Sequence, residues 1–205
     1  MRASQEQSDE NLLRLSLSGD ESAFTTLYRR RQAGLYRFAL QMCGSESVAE
    51  DVTQEVFMAL LREAHRFDPA RGALSSFLYG VTRNQVLRRL EKERAFVALS
   101  DEHEEGSDAG RAESGDDPLA QLARGERVET VRQAVLALPV HYREVVVLCE
   151  LQELSYAEAA QVLGCAVGTV RSRLHRARAL LCDRLRMFGE GEEPAKGFDA
   201  ARCFA

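Results

Sequence analysis

The chain has 205 residues, 45% hydrophobic and 29% charged, with no Trp and four Pro, an ordinary composition for a globular protein with room for one medium domain or two small ones. No run approaches the ~18–20 apolar residues of a membrane span, and the opening MRASQEQSDENLL is polar and acidic where a secretory leader has an apolar core, so no membrane insertion and a cytoplasmic location are expected. The net charge of -5 does not exclude nucleic acid, because charge near the phosphates matters more than the sum.

Stretches rich in Ala, Leu, Glu and Arg predict an all-α chain. Asp9–Leu17 reads as a short helix ended at Gly19. Phe24, Leu27, Tyr28, Leu35, Phe38, Ala39 and Met42 then fall on one helical stripe, and Gly44-Ser45 breaks the chain. Val48, Val52, Val56 and Leu60 recur at four-residue steps in the next helix, with Phe57 and Leu61 beside them. His65–Gly72 reads as a loop, since Pro69 and Gly72 are poor helix residues. A further helix starts at Leu74 or Ser75 and runs to about Arg94.

Residues 95–117 carry no helical periodicity and read as a flexible acidic linker. They also resolve the charge question. The 27 basic and 32 acidic residues of the chain fall to 26 and 24 once the one Arg and eight acids of 101–117 are set aside. Beyond the linker, a helix from about Pro118 reaches Leu138 and stops at Pro139. His141–Gln152 forms the next helix. Ser155 opens another, with Glu158 at the capping-box spacing, and Gly164 ends it. A last helix runs from about Val167 to Met187, and residues 188–205 read as a disordered tail. Two small helical domains, 9–94 and 118–187, are therefore expected. The five Cys form no C-x-x-C pair and the His residues lack zinc spacing, so structural thiols and no metal or cofactor are expected, with Cys203 in the tail assigned no role.

Ser155–Arg178 reads SYAEAAQVLGCAVGTVRSRLHRAR: helix, tight Gly-containing turn, helix, the pattern of a helix-turn-helix. Val170, Leu174, Ala177 and Leu181 face a core. The opposite face presents Arg171, Ser172, His175 and Arg176, with Arg178 alongside. Arg donates two hydrogen bonds to guanine, and Ser or His contacts a base edge or a phosphate. A solvated Arg face on an αα-corner has the same periodicity; the capped first helix and the Gly turn favour DNA.

Leu138-Pro139 through Arg178 resembles region 4 of the extracytoplasmic-function class of sigma factors. The matching residues are Leu138-Pro139, Ser155-Tyr-x-Glu-x-Ala160, Gly168-Thr-Val-Arg-Ser-Arg-Leu174 and Arg176-Ala-Arg178. The resemblance implies binding to the minus-35 promoter element, with Thr169, Arg171, Ser172, His175, Arg176 and Arg178 as its contacts. Ala166 stands where the family usually has Ser, a natural N-cap. Losing such a cap costs about 0.5–2 kcal/mol, and a later helix start capped by Thr169 is the expected consequence.

A helix-turn-helix alone also fits an ordinary regulator, and the first half separates the two readings. Ala49–Phe57, AEDVTQEVF, resembles the region 2 helix with which these sigma factors grip the clamp of the largest polymerase subunit. Asp51, Gln54 and Glu55 share one polar face opposite the Val stripe, which suits a basic partner; taken by itself that face reads more readily as a solvated acidic surface, and the surrounding motif reverses the preference. Arg66-Phe67-Asp68-Pro69-x-Arg71-Gly72, Phe77-Leu78-Tyr79 and Arg83-Asn84 resemble the part of region 2 that melts the minus-10 element. Melting needs a pocket for an unstacked base and positive charge along the strand. The expected set is Phe67, Asp68, Arg71, Tyr79, Arg83, Asn84 and Arg88, with Phe77 and Tyr79 also readable as core. Phe77 stands where Trp is common and Arg88 where Asp is common.

The resemblance implies a non-catalytic specificity subunit whose partners are core RNA polymerase, promoter DNA and an anti-sigma factor. The linker of ~22 residues spans up to roughly 75 Å, enough to join boxes about two DNA turns of 34–36 Å apart; it is either a free tether or a segment threaded through a basic channel of the polymerase. The competing reading is a helix-turn-helix regulator that binds operator DNA without polymerase, which has no need of the 51–57 and 66–84 motifs. An enzyme is disfavoured, since Asp51 and Glu55 lie beside no His, phosphate loop or nucleophile elbow.

Overall fold

Short polar side chains set the starts of the first helices. Ser8 accepts from the Asn11 N–H at 3.3 Å to open α1 (Asp9–Leu17), and Asp20 accepts from the N–H groups of Ser22 and Ala23 at 2.9 and 3.1 Å to open α2 (Glu21–Cys43). Each cap satisfies donors that have no partner inside the helix. α2 ends at Gly44 with φ +78°, and a Cβ there would lie 2.9 Å from Leu136 Cδ1, so conformation and packing both call for glycine. Ser45 caps α3 (Glu46–Arg62).

The computed structural model describes residues 7–97 and 118–189, and every regular element among them is helical. His65–Gly72 is more ordered than the plain loop its Pro and Gly suggest. Two 3-10 turns, Ala64–Arg66 and Pro69–Arg71, run through it, and Asp68 accepts from the Ala70 N–H at 2.9 Å to start the second. α4 (Leu74–Val97) borrows its cap from α1: the Leu74 N–H donates to Glu10 Oε1 at 3.2 Å. Accepting from its own N–H and from that of Leu74 holds the Glu10 carboxyl below its usual range. α4 continues three residues past the expected end at Arg94, and the remainder of the expected linker, 98–117, lies outside the described residues, as does the tail from 190.

The second half comprises α5 (Pro118–Leu136), α6 (Val140–Val146), α7 (Tyr156–Leu163) and α8 (Val167–Gly189). The single helix expected over His141–Gln152 is interrupted. A π-helical turn occupies Val147–Leu151, closed by the Gln152 N–H donating to the Val147 carbonyl at 2.9 Å, and Glu153 follows at φ +56°. α8 starts at Val167 despite its capless Ala166: the Thr169 and Val170 N–H groups close on the Ala166 carbonyl at 2.9 and 3.2 Å. The later start capped by Thr169 does not occur, because the fully buried Val170 anchors the first turn. Restoring the side-chain acceptor with Ala166→Ser is expected to raise unfolding free energy by about 1 kcal/mol. Denaturant unfolding measures it; a loss of stability would mean that residue 166 cannot orient a cap.

The buried apolar residues form one contiguous cluster from Leu12 on α1 to Ala177 on α8. Phe38, Leu35, Leu78 and Leu148 lie within it at 1% exposure or less, each burial contributing about 1.5–3 kcal/mol. The cluster crosses between halves: α4 packs on α7, and α2 on α5 and the π-helical turn. No helix among the described residues is long and apolar enough to cross a membrane.

Candidate nucleic-acid and polymerase interfaces

The capping box read from the sequence is complete. Ser155 Oγ accepts from the Glu158 N–H at 3.2 Å, and Glu158 Oε2 accepts from the Ser155 N–H at 2.9 Å. Hydrogen bonds from the Ser155 hydroxyl and N–H hold the Glu158 carboxyl below its usual range. Gly164, φ +62°, turns the chain into α8. Val170, Leu174 and Ala177 are buried against the core, which leaves Arg171, Ser172, His175 and Arg176 together on the exposed face. Thr169 is half-buried beside them, its carbonyl accepting from Ser172 Oγ at 3.0 Å. The Arg171 guanidinium lies 5.8 Å over the Tyr156 ring, a cation–π contact that restrains it. Arg178 is set apart: it donates to Glu150 Oε1 at 2.6 Å and ties α8 to the π-helical turn.

The residues singled out between 67 and 88 divide into two groups. Phe67, Asp68, Arg71, Asn84 and Arg88 line one groove of about 510 Å³ between α3, the 3-10 turns and α4. Phe67 and Phe77 pack at 5.5 Å between ring centroids as an apolar part of its wall. Arg71 and Arg88 are exposed and make no ion pair among the described residues. The groove falls within the ~300–1,000 Å³ of small-molecule pockets, large enough for one unstacked base. Its edge includes Gln161 and Val162 of α7.

Tyr79 and Arg83 do not face that groove. Arg83 Nε donates to Glu144 Oε1 on α6 at 2.6 Å, and Glu144 is only 2% exposed. The Tyr79 hydroxyl donates to Gln152 Oε1 at 3.2 Å, and Gln152 Nε2 to Gln41 Oε1 at 2.9 Å. A separate cavity of about 490 Å³ surrounds this contact, lined by Arg30, Arg31 and Arg37. Arg30 and Arg31 are both held by the buried Asp9 carboxylate, Arg30 at 2.8 Å. No motif pointed to this basic lining, because the arginines lie within an ordinary helical run.

Asp51, Gln54 and Glu55 are all exposed on α3, opposite the buried Val52 and Val56. Arg89 of α4 bridges the two acids, 2.5 Å from Glu55 Oε1 and 3.4 Å from Asp51 Oδ2. The acidic face therefore already accommodates one guanidinium. Sequence reasoning missed Arg143 altogether. Buried on α6, it donates to the carbonyls of Met42 at 2.5 Å, Leu138 at 3.1 Å and Leu136, and so joins the ends of α2 and α5. Cys43, Cys149, Cys165 and Cys182 are unbridged thiols. Burial pushes the Cys149 thiol up to about 11, which suits a packing role and not a nucleophile.

Comparison with known proteins gives the same outline. Residues 27–96 match the family model for Sigma-70 region 2, and 129–181 the model for Sigma-70, region 4. The chain is 34% identical over 191 residues to the ECF RNA polymerase sigma factor SigM of Mycobacterium tuberculosis, covering 91% of this chain and 89% of that protein. It is 34% identical over 175 residues to SigE of Mycolicibacterium smegmatis, covering 82% of this chain and 65% of that longer protein. Among solved structures, the sigma factor RpoE in complex with the anti-sigma factor NepR from Bartonella quintana aligns with a TM-score of 0.65 at 26% identity, over 80% of this chain and 96% of that one.

Proposed function

Because this chain belongs to the extracytoplasmic-function class of sigma-70 RNA polymerase sigma factors, a class that acts in transcription initiation, we propose that it recruits core polymerase to promoters with two boxes. The 118–187 domain reads duplex minus-35 DNA, and the 9–94 domain captures the unpaired minus-10 strand. The observation that carries this reading is the clustering of exposed Arg171, Ser172, His175 and Arg176 on one face of α8, the second helix of a helix-turn-helix. Such a face enters the major groove, where arginines address guanine edges. The groove around Phe67, Asn84 and Arg88 supports the second half: an apolar wall to stack a base, an amide to hydrogen-bond it, and a cation for the phosphates.

Core polymerase binds the Asp51, Gln54 and Glu55 face, exchanging Arg89 for a basic side chain of its own. Polymerase supplies the catalytic metal and the bond-forming step, and this subunit supplies specificity, in the cytoplasm. An anti-sigma factor is the remaining partner, as in the solved complex with NepR. Transcription in vitro from a promoter library tests the proposal. Initiation at a shared pair of boxes, only when core and chain are both present, is the expected result. Tight operator binding by the chain alone, with no initiation, would replace it with an ordinary regulator.

A further inference from the structure

We propose that Glu10 on α1 is a positioning residue for the minus-10 groove: its carboxylate caps α4 and so holds the 67–73 wall in the form that captures a base. This role rests on the minus-10 reading of that groove. Phe67, Asp68, Arg71, Gly72 and Ala73 make up one wall, and that wall hangs from the first turn of α4. Gly72, at φ +150°, and Ala73 carry no side-chain acceptor, so the residues just before α4 offer it no cap. Glu10 supplies one from another element, accepting from the Leu74 N–H at 3.2 Å. An anion there also suits the positive end of the helix dipole. No residue of α1 lines the groove, so Glu10 acts on the strand only through the wall.

α1 is fixed well enough to serve as a brace. Leu12 and Leu13 are buried in the core. The buried Asp9 carboxylate pairs with Arg30 at 2.8 Å and with Arg31, and Arg30 also donates to the Gln7 carbonyl at 2.8 Å. The Leu74 side chain is fully buried, which sets where α4 begins; the Glu10 bond sets the direction from which the chain enters it. Without that acceptor the Leu74 N–H turns to water, and the glycine beside Ala73 lets the wall swing. A strand arriving at the groove then meets Phe67 and Arg71 out of place for part of the time.

The test uses the holoenzyme and two labelled probes, a single-stranded oligonucleotide carrying the selected minus-10 box and a duplex carrying the selected minus-35 box. Glu10→Ala is expected to weaken oligonucleotide binding about tenfold, since apparent affinity falls with the fraction of molecules that hold the wall in its binding form. Duplex binding by α8 should be unchanged. Glu10→Gln, which keeps an acceptor within reach of Leu74, should restore most of the loss. A general loss of folding would weaken both probes together, and that outcome overturns the proposal, as does a Glu10→Gln variant as weak as Glu10→Ala. Asn84→Ala tests the underlying reading separately. Full oligonucleotide binding there would remove the groove as the strand site, whereas a loss there with none in Glu10→Ala would overturn the positioning role alone.

Discussion

An Arg143→Met variant is expected to lose about 3 kcal/mol or more of unfolding free energy. Its guanidinium is buried and donates to the carbonyls of Met42, Leu136 and Leu138, which belong to the ends of α2 and α5 and to the Leu138-Pro139 junction. Methionine keeps most of the apolar stem but leaves those acceptors, two of them buried and that of Leu136 part-buried, without a charged donor. Each buried acceptor left unmade costs about 1–3 kcal/mol, and local relaxation recovers part of the sum. Urea unfolding of the full chain measures the loss. A change below 1 kcal/mol would mean that water reaches these carbonyls and that the buried guanidinium adds little.

Arg171→Ala and Arg176→Ala are each expected to weaken binding to the minus-35 box by about 1–3 kcal/mol, the worth of a good bidentate base contact, with folding and core-polymerase affinity unchanged. Both side chains are exposed on α8, away from the Asp51, Gln54 and Glu55 face. Arg178→Ala should behave differently. Its ion pair with Glu150 makes it an anchor of the helix-turn-helix to the π-helical turn, so its loss should lower stability modestly and affect all DNA sequences alike. Fluorescence anisotropy with matched and single-substituted duplexes separates these cases. Equal losses on every duplex for Arg171→Ala and Arg176→Ala would reduce them to phosphate contacts, and a parallel loss of core binding would count against assigning that face to DNA.

Signals local in sequence were legible. The capping pair Ser155 and Glu158, the break at Gly44 and the stripe through Val52, Val56 and Leu60 each rest on side chains within one or two turns, so spacing alone fixes them. The division of the 67–88 residues was also present in the helical phase. Asn84 and Arg88 are four apart on one stripe and Tyr79 and Arg83 four apart on another, but reading them as one motif merged the two faces. The π-helical turn at Val147–Leu151 and the role of Arg143 left no local mark. The π-helical turn packs on α2 from the first half of the chain, and Arg143 joins the Met42 carbonyl of that half to the nearby Leu136 and Leu138 carbonyls; an Arg among apolar residues gives no hint that three carbonyls await it. Likewise, the start of α8 at Val167 without a side-chain cap follows from the burial of Val170, a tertiary effect that outweighs the missing acceptor.

As a sigma subunit, this chain is expected to open with core polymerase a promoter that neither opens alone. Permanganate reactivity of thymines around the minus-10 box, on the promoter chosen by selection, measures that opening directly. Reactive, unpaired thymines are expected only when both components are present, and their loss is expected in the Asn84→Ala holoenzyme. A minus-10 region that stays duplex while the chain and core are bound together would contradict that expectation.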